Sequence, residues 1–307
     1  MRFFRRRLSA ALLFPCVLAI LTSLVEAQPL RTVFFEEFLA QRFGTGEGTA
    51  WNAQAFCPTE TNILAKRVLE SYGSIFSAAD SVTLPSVCVY DGEAPVLKYQ
   101  KQLKTYIVQV RIPISLQLAA ARALQASVDE AALSGIRISP LDGAIAAGRT
   151  YGDTLMLWNS RVFPALGYWN RKSRITSAEL DEFARMELAQ KIRKILEWEE
   201  SGIYFSTDRS RSILTSTAPP GSSQHIALIA LDIVEFWNPT VRAALNKNGW
   251  FQTILDDPAH FTYLGFPESE LPNRGLIAVF KGGQMYWIPN MLPRPNVTVL
   301  LESPSGP

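Results

Sequence analysis

The apolar run from Ile226 to Val234 is interrupted once, by Asp232. A short continuous run of this kind reads as a buried strand. An ionised carboxylate inside it is costly unless it meets a cation or several hydrogen-bond donors. No Lys or Arg occurs between Arg211 and Arg242, so no near neighbour in sequence supplies the charge. Two sources remain: a bound metal ion, or an arginine brought in from a distant part of the chain.

The chain has only two histidines, and both lie close to this problem. His225 closes Ser223-Gln224-His225, directly ahead of the apolar run. His260 closes Asp256-Asp257-Pro258-Ala259-His260, and an aromatic strand pattern follows it. The acidic residue three positions before His260 places a carboxylate near the imidazole. Either histidine alone reads as a structural residue. Two His and one Asp together make a three-ligand set of the catalytic type, which leaves a fourth position for water.

The pattern Ser223-x-His225-x6-Asp232, followed by an acidic residue, two positions and His260, resembles the signature of D-alanyl-D-alanine carboxypeptidases. These belong to the LAS group of zinc peptidases, named for lysostaphin, D-Ala-D-Ala metallopeptidases and sonic hedgehog. The stretch Ala146-Ala147-Gly148-Arg149-Thr150-Tyr151 is similar to the family's Ser-Gly-Tyr-Arg-Ser segment, which opens a helix. The resemblance covers roughly residues 105 to 290. It implies one zinc ion held by His225, Asp232 and His260, and metal-assisted hydrolysis with Asp257 as the general base. It also implies that Arg149 grips the terminal carboxylate of a peptidoglycan stem peptide, a task that suits a guanidinium fork. Ser223, on the same face as His225 if the segment is extended, is expected to help place the substrate.

The resemblance also admits dipeptidases and endopeptidases of the same group, and a zinc-bearing binding module without catalysis. Three departures bear on that choice. Leu228 stands where the family has glycine, at the turn after His225. Ala259 stands where it has tryptophan, which opens the pocket wall. Asp257 replaces a glutamate and is one methylene shorter, a shift of about 1.5 Å in the carboxylate.

The first 27 residues read as an export signal: Arg2, Arg5, Arg6 and Arg7, then an apolar stretch from Leu8 to Leu24, then Val25-Glu26-Ala27 as a cleavage site. The signal holds four of the 30 basic residues and one of the 28 acidic ones, so the mature chain has a net charge near −1. Charge gives no case for nucleic acid or an anionic membrane as partner. The later sequence offers no stretch long and apolar enough to cross a membrane. An exported chain acts in the periplasm or outside the cell. There the two remaining cysteines, Cys57 and Cys88, are expected to pair.

Residues 28–105 read as an N-terminal extension packed on the core, 106–293 as the zinc peptidase domain, and 294–307 as a flexible tail. Within them the patterns predict helices over 63–76, 116–133 and 151–161. A capping box at Thr176–Glu179 opens the longest helix, with a stripe through Leu180, Ala184, Leu188, Ile192 and Ile195. Asn238-Pro239 starts a short helix ending before Gly249. Strands are expected over 85–90 and 107–112, and a hairpin around Gly282-Gly283. Together these give an α+β fold: an antiparallel sheet flanked by helices.

Overall fold

The computed structural model describes residues 32–44 and 52–291; the export signal and the C-terminal tail lie outside them. The described N-terminal residues form α1 (Phe35–Gly44), α2 (Ala53–Phe56), α3 (Ile63–Tyr72) and α4 (Glu93–Gln100). The Asn62 side chain caps α3 by accepting from the amides of Leu64 and Ala65. Cys57 and Cys88 are disulfide-bonded, with Cα atoms 5.3 Å apart. The stretch 85–90 is not a strand. Its amides make single bonds instead, Cys88 N–H to Phe56 O at 3.0 Å and Tyr90 N–H to Gly221 O at 2.9 Å. Apolar alternation there reflects one-sided burial without a partner strand.

A hairpin of β1 (Thr105–Val108) and β2 (Ile114–Gln117) follows. The strand expected over 107–112 is therefore earlier and shorter, and its turn holds the later residues. Tyr106 and Ile107 are 57% and 54% exposed, so their alternation does not mark a core face. Next come α5 (Leu118–Leu133), α6 (Tyr151–Arg171), α7 (Ser177–Arg185) and α8 (Leu188–Glu200). Helix α6 runs ten residues beyond its expected end and passes through Pro164. Pro164 and Ser160 lie on the exposed face, so water can serve the carbonyl that the proline leaves without a donor. The single long helix expected after Thr176 is two. The backbone turns extended at Met186 and Glu187, and a second capping box, Glu187 with Gln190, opens α8. Phe183, not the exposed Ala184, carries the buried stripe of α7.

The last part of the chain holds β3 (Ala230–Asp232), α9 (Pro239–Lys247), β4 (Trp250–Gln252), β5 (His260–Tyr263), β6 (Leu276–Lys281) and β7 (Gln284–Pro289). Strands β3, β5 and β4 form an antiparallel sheet with β5 in the middle, and β6–β7 is a separate hairpin closed by Gly282 and Gly283, both at positive φ. The fold is α+β, with its antiparallel strands divided among three small sheets. The core is contiguous from Phe35 to Trp287. Among the described residues, no helix is long and apolar enough to cross a membrane.

Candidate metal centre

The register of the central sheet sets Asp232 of β3 directly opposite His260 of β5. Side chains of facing residues in antiparallel strands lie on the same side, and Asp232 Oδ1 is 3.0 Å from His260 Nδ1. His225 reaches the same point from a different kind of element. The run Ile226–Val234 is not one strand: Gln224–Ala227 is a 3-10 turn, Leu228 follows in the left-handed region at φ 54°, and the strand begins only at Ala230. The turn drops the His225 ring onto the end of the sheet, with Nε2 at 3.3 Å from Asp232 Oδ1 and 3.1 Å from His260 Nδ1. Leu228 thus occupies a conformation that glycine adopts most readily, and the turn keeps it without glycine.

The three converging atoms suit a metal ion. Bonds of 2.0–2.2 Å to a tetrahedral zinc place ligand atoms about 3.3–3.6 Å apart, close to the separations here. His225 and His260 are 1% and 2% exposed, and the Asp232 side chain 16%. His225 Nδ1 is buried with no hydrogen-bond partner. Among the described residues this is the group of His, Cys, Asp and Glu side chains placed to share one ion.

The distant arginine is present as well. Arg149 Nη2 lies 2.6 Å from Asp232 Oδ2, while its Nε donates to Ile145 O at 3.0 Å. The two oxygens of Asp232 are therefore divided, Oδ1 to the imidazoles and Oδ2 to the guanidinium. Burial works against the Asp232 charge, but His225 and His260 outweigh it and hold the carboxyl well below its ordinary value. Burial, then the nearby Arg149, pushes His225 down to about 4, so its ring is neutral at pH 7, as a metal ligand must be. Burial and the Asp232 charge push Asp257 up to about 6. A carboxyl with that value ionises close to neutral pH and can both accept and return a proton. Its neighbour Asp256 sits at φ 68°, and its carboxylate pairs with Lys281 at 2.8 Å.

Ser223 precedes the 3-10 turn and is buried. The expected shared strand face with His225 does not exist, because the chain is not extended there. Among the described residues its hydroxyl makes no hydrogen bond to the three converging side chains. Three glutamines that the sequence did not flag hold the turn instead. Gln100 Nε2 donates to Arg149 O at 2.9 Å and to Ile226 O at 3.0 Å. Gln117 Nε2 donates to Ala227 O at 2.7 Å, and its backbone N–H to Leu228 O at 2.9 Å. Gln224 stands beneath His260, with Oε1 2.9 Å from His260 Nε2.

No protein-family model matches the chain, and no curated protein matches it. Among solved structures, the chain is similar to a mutant of the vancomycin-resistance D,D-pentapeptidase VanY from a VanB-type resistance cassette, in complex with Zn(II). The identity is 14% and the TM-score 0.34, over 63% of this chain and 90% of that one. A likeness at this level transfers no residue role.

Proposed function

We propose that this chain is an exported zinc peptidase that hydrolyses peptidoglycan stem peptides, and that it acts as a D-alanyl-D-alanine carboxypeptidase. The observation that carries the reading is the convergence of His225 Nε2, Asp232 Oδ1 and His260 Nδ1 within 3.0–3.3 Å of one another, beside a carboxyl poised at about 6. The motif resemblance supplies the substrate class. Each of its proposed ligand positions falls on one of the converging atoms.

His225, Asp232 and His260 would hold the ion. Zinc, when bound, polarises a carbonyl oxygen and acidifies water. The chain's own groups do the rest. Asp257, ionised above pH 6, takes the proton of the attacking water and delivers it to the leaving amine. Arg149 holds the substrate's terminal carboxylate with the part of its guanidinium fork that faces away from Asp232. Its backbone is fixed by Gln100, so the anchor stands at a set distance from the ligands. The buried imidazoles keep bulk water off one side of the reacting centre.

The test is direct. Protein loaded with zinc is incubated with a stem pentapeptide ending in D-Ala-D-Ala, and products are identified by mass. Release of one alanine supports the carboxypeptidase reading, and loss of a dipeptide or an internal cut points to a different specificity in the same group. No product at all, with zinc bound, overturns the peptidase.

A further inference from the structure

Gln224 is 1% exposed, yet its amide is fully engaged. Its Nε2 donates to the backbone carbonyl of Tyr72 at 2.8 Å. Its Oε1 accepts from the Thr262 hydroxyl, which in turn accepts from Thr253 Oγ1 at 2.7 Å, and it faces His260 Nε2 at 2.9 Å. The Tyr72 contact fixes which way the amide points. A carbonyl oxygen can only accept, so the group facing it must be the NH2, and the other end must be Oε1.

The same logic then passes to the ring. His260 Nε2 also lies 3.2 Å from Thr262 Oγ1, but the one hydrogen of that hydroxyl goes to Oε1. Oε1 is an acceptor, so the hydrogen between it and His260 belongs to Nε2. A neutral imidazole holds one ring proton. With that proton on Nε2, the lone pair falls on Nδ1, the atom that points between Asp232 Oδ1 and His225 Nε2. Asp232 alone would favour the opposite arrangement, a proton on Nδ1 donated to its carboxylate.

We propose that Gln224 is a positioning residue that selects the ring nitrogen His260 offers to a metal. The amide, anchored on Tyr72, holds the Nε2 proton and leaves Nδ1 bare. This rests on the zinc reading above. It adds the groups behind the ligands, and it draws residue 72, which lies outside the span of the motif resemblance, into the metal centre.

The experiment compares the full-length protein with Gln224→Met, which keeps the length and removes the acceptor, and with Gln224→Glu, which keeps an acceptor towards His260 but gives up the N–H donated to Tyr72 O. Zinc affinity is measured by competition with a chromophoric chelator, and ring protonation by long-range proton–nitrogen NMR on histidine-labelled protein. The expected result is a zinc affinity about 10–100-fold weaker in Gln224→Met, with Gln224→Glu recovering part of the loss. In the metal-free wild type the His260 spectrum should show Nε2 protonated. Zinc binding by Gln224→Met at the wild-type level overturns the inference and leaves the metal reading intact. A bare Nε2 in the metal-free wild type overturns it whatever the variants do, and needs no variant to fold. A wild type that takes up no zinc overturns the proposed function and this inference together, a pattern distinct from equal uptake by wild type and variant.

Discussion

Asp257 sits where burial and a neighbouring carboxylate oppose its charge, and its value of about 6 is raised from 3.8. The fold thus prefers the protonated form, so ionising this group as pH rises from 3.8 through about 6 withdraws stability. A cation bound at the three ligands opposes that loss. For catalysis the sign is reversed, because a general base works when ionised. Activity against a stem pentapeptide should therefore rise with pH along an acid limb whose midpoint is at or below about 6. Asp257→Asn should keep zinc, lose the limb, and hydrolyse about 10²–10⁴-fold more slowly. Asp257→Glu should retain activity. Hydrolysis by Asp257→Asn at the wild-type rate would remove the residue from this role. Gly221 gives a stability test at the same scale. Its φ is +83°, and a Cβ there would lie 2.0 Å from Tyr90 O, a backbone atom that cannot step aside. Gly221→Ala should cost well over the about 1 kcal/mol typical of point substitutions, read as a lower denaturation midpoint. An unchanged midpoint would mean that this backbone approach is not as tight as described.

Among the elements, α8 ends on a carboxylate with an unusual task. Glu199 Oε1 accepts from Ile213 N–H at 2.6 Å and Phe205 N–H at 3.2 Å, and Oε2 from Ser212 Oγ at 2.6 Å. It thereby pins the loop that leads back towards His225. Burial raises its carboxyl above 4.5, and the negative end of a helix dipole is a poor place for an anion. Glu199→Gln keeps an acceptor for both amides and sheds the charge. Relative to wild type, the variant should gain thermal stability as pH rises from 4.5 towards neutrality; a difference that does not change with pH would contradict this. Glu199→Ala should destabilise at every pH, about 1–3 kcal/mol for each buried amide left unpaired.

The elements also show what a sequence makes legible. The capping box at Thr176 and the turn at Gly282-Gly283 are legible because their chemistry is local. The convergence of His225, Asp232 and His260 is legible because few side chains bind metal. The run Ile226–Val234 reads as one strand because apolar composition reports burial and not backbone geometry, and a 3-10 turn buries its residues as well as a strand does. Arg149 reads as an anchor, but its pairing with Asp232 spans 83 positions. Glutamines such as Gln100 and Gln224 have no pattern that separates a buried clamp from a surface residue.

At the scale of the whole molecule, the Cys57–Cys88 bond closes a span of 31 residues. By the chain-entropy model it contributes about 3–4 kcal/mol. Reduction should lower the melting temperature and expose two thiols to titration; unchanged melting after full reduction would show the bond to be thermodynamically idle. Zinc should act in the other direction, raising the melting temperature with concentration as any ligand of the native state does. Chelation should reverse that gain.

Hydrogen bonds behind the candidate metal centre and around the last hairpin join distant parts of the chain. Gln224 meets Tyr72 across 152 positions, Ser74 reaches Trp287 across 213, and Asn290 reaches Val33 across 257. Contacts of such separation must overcome the entropy of closing long loops and form slowly. The order of assembly follows. A chain emerging from its N-terminus can build α3 early, but Tyr72, Gln224 and His260 meet only after β5 has formed. On the proposed reading a partly folded molecule is inert, and activity is among the last properties that folding confers.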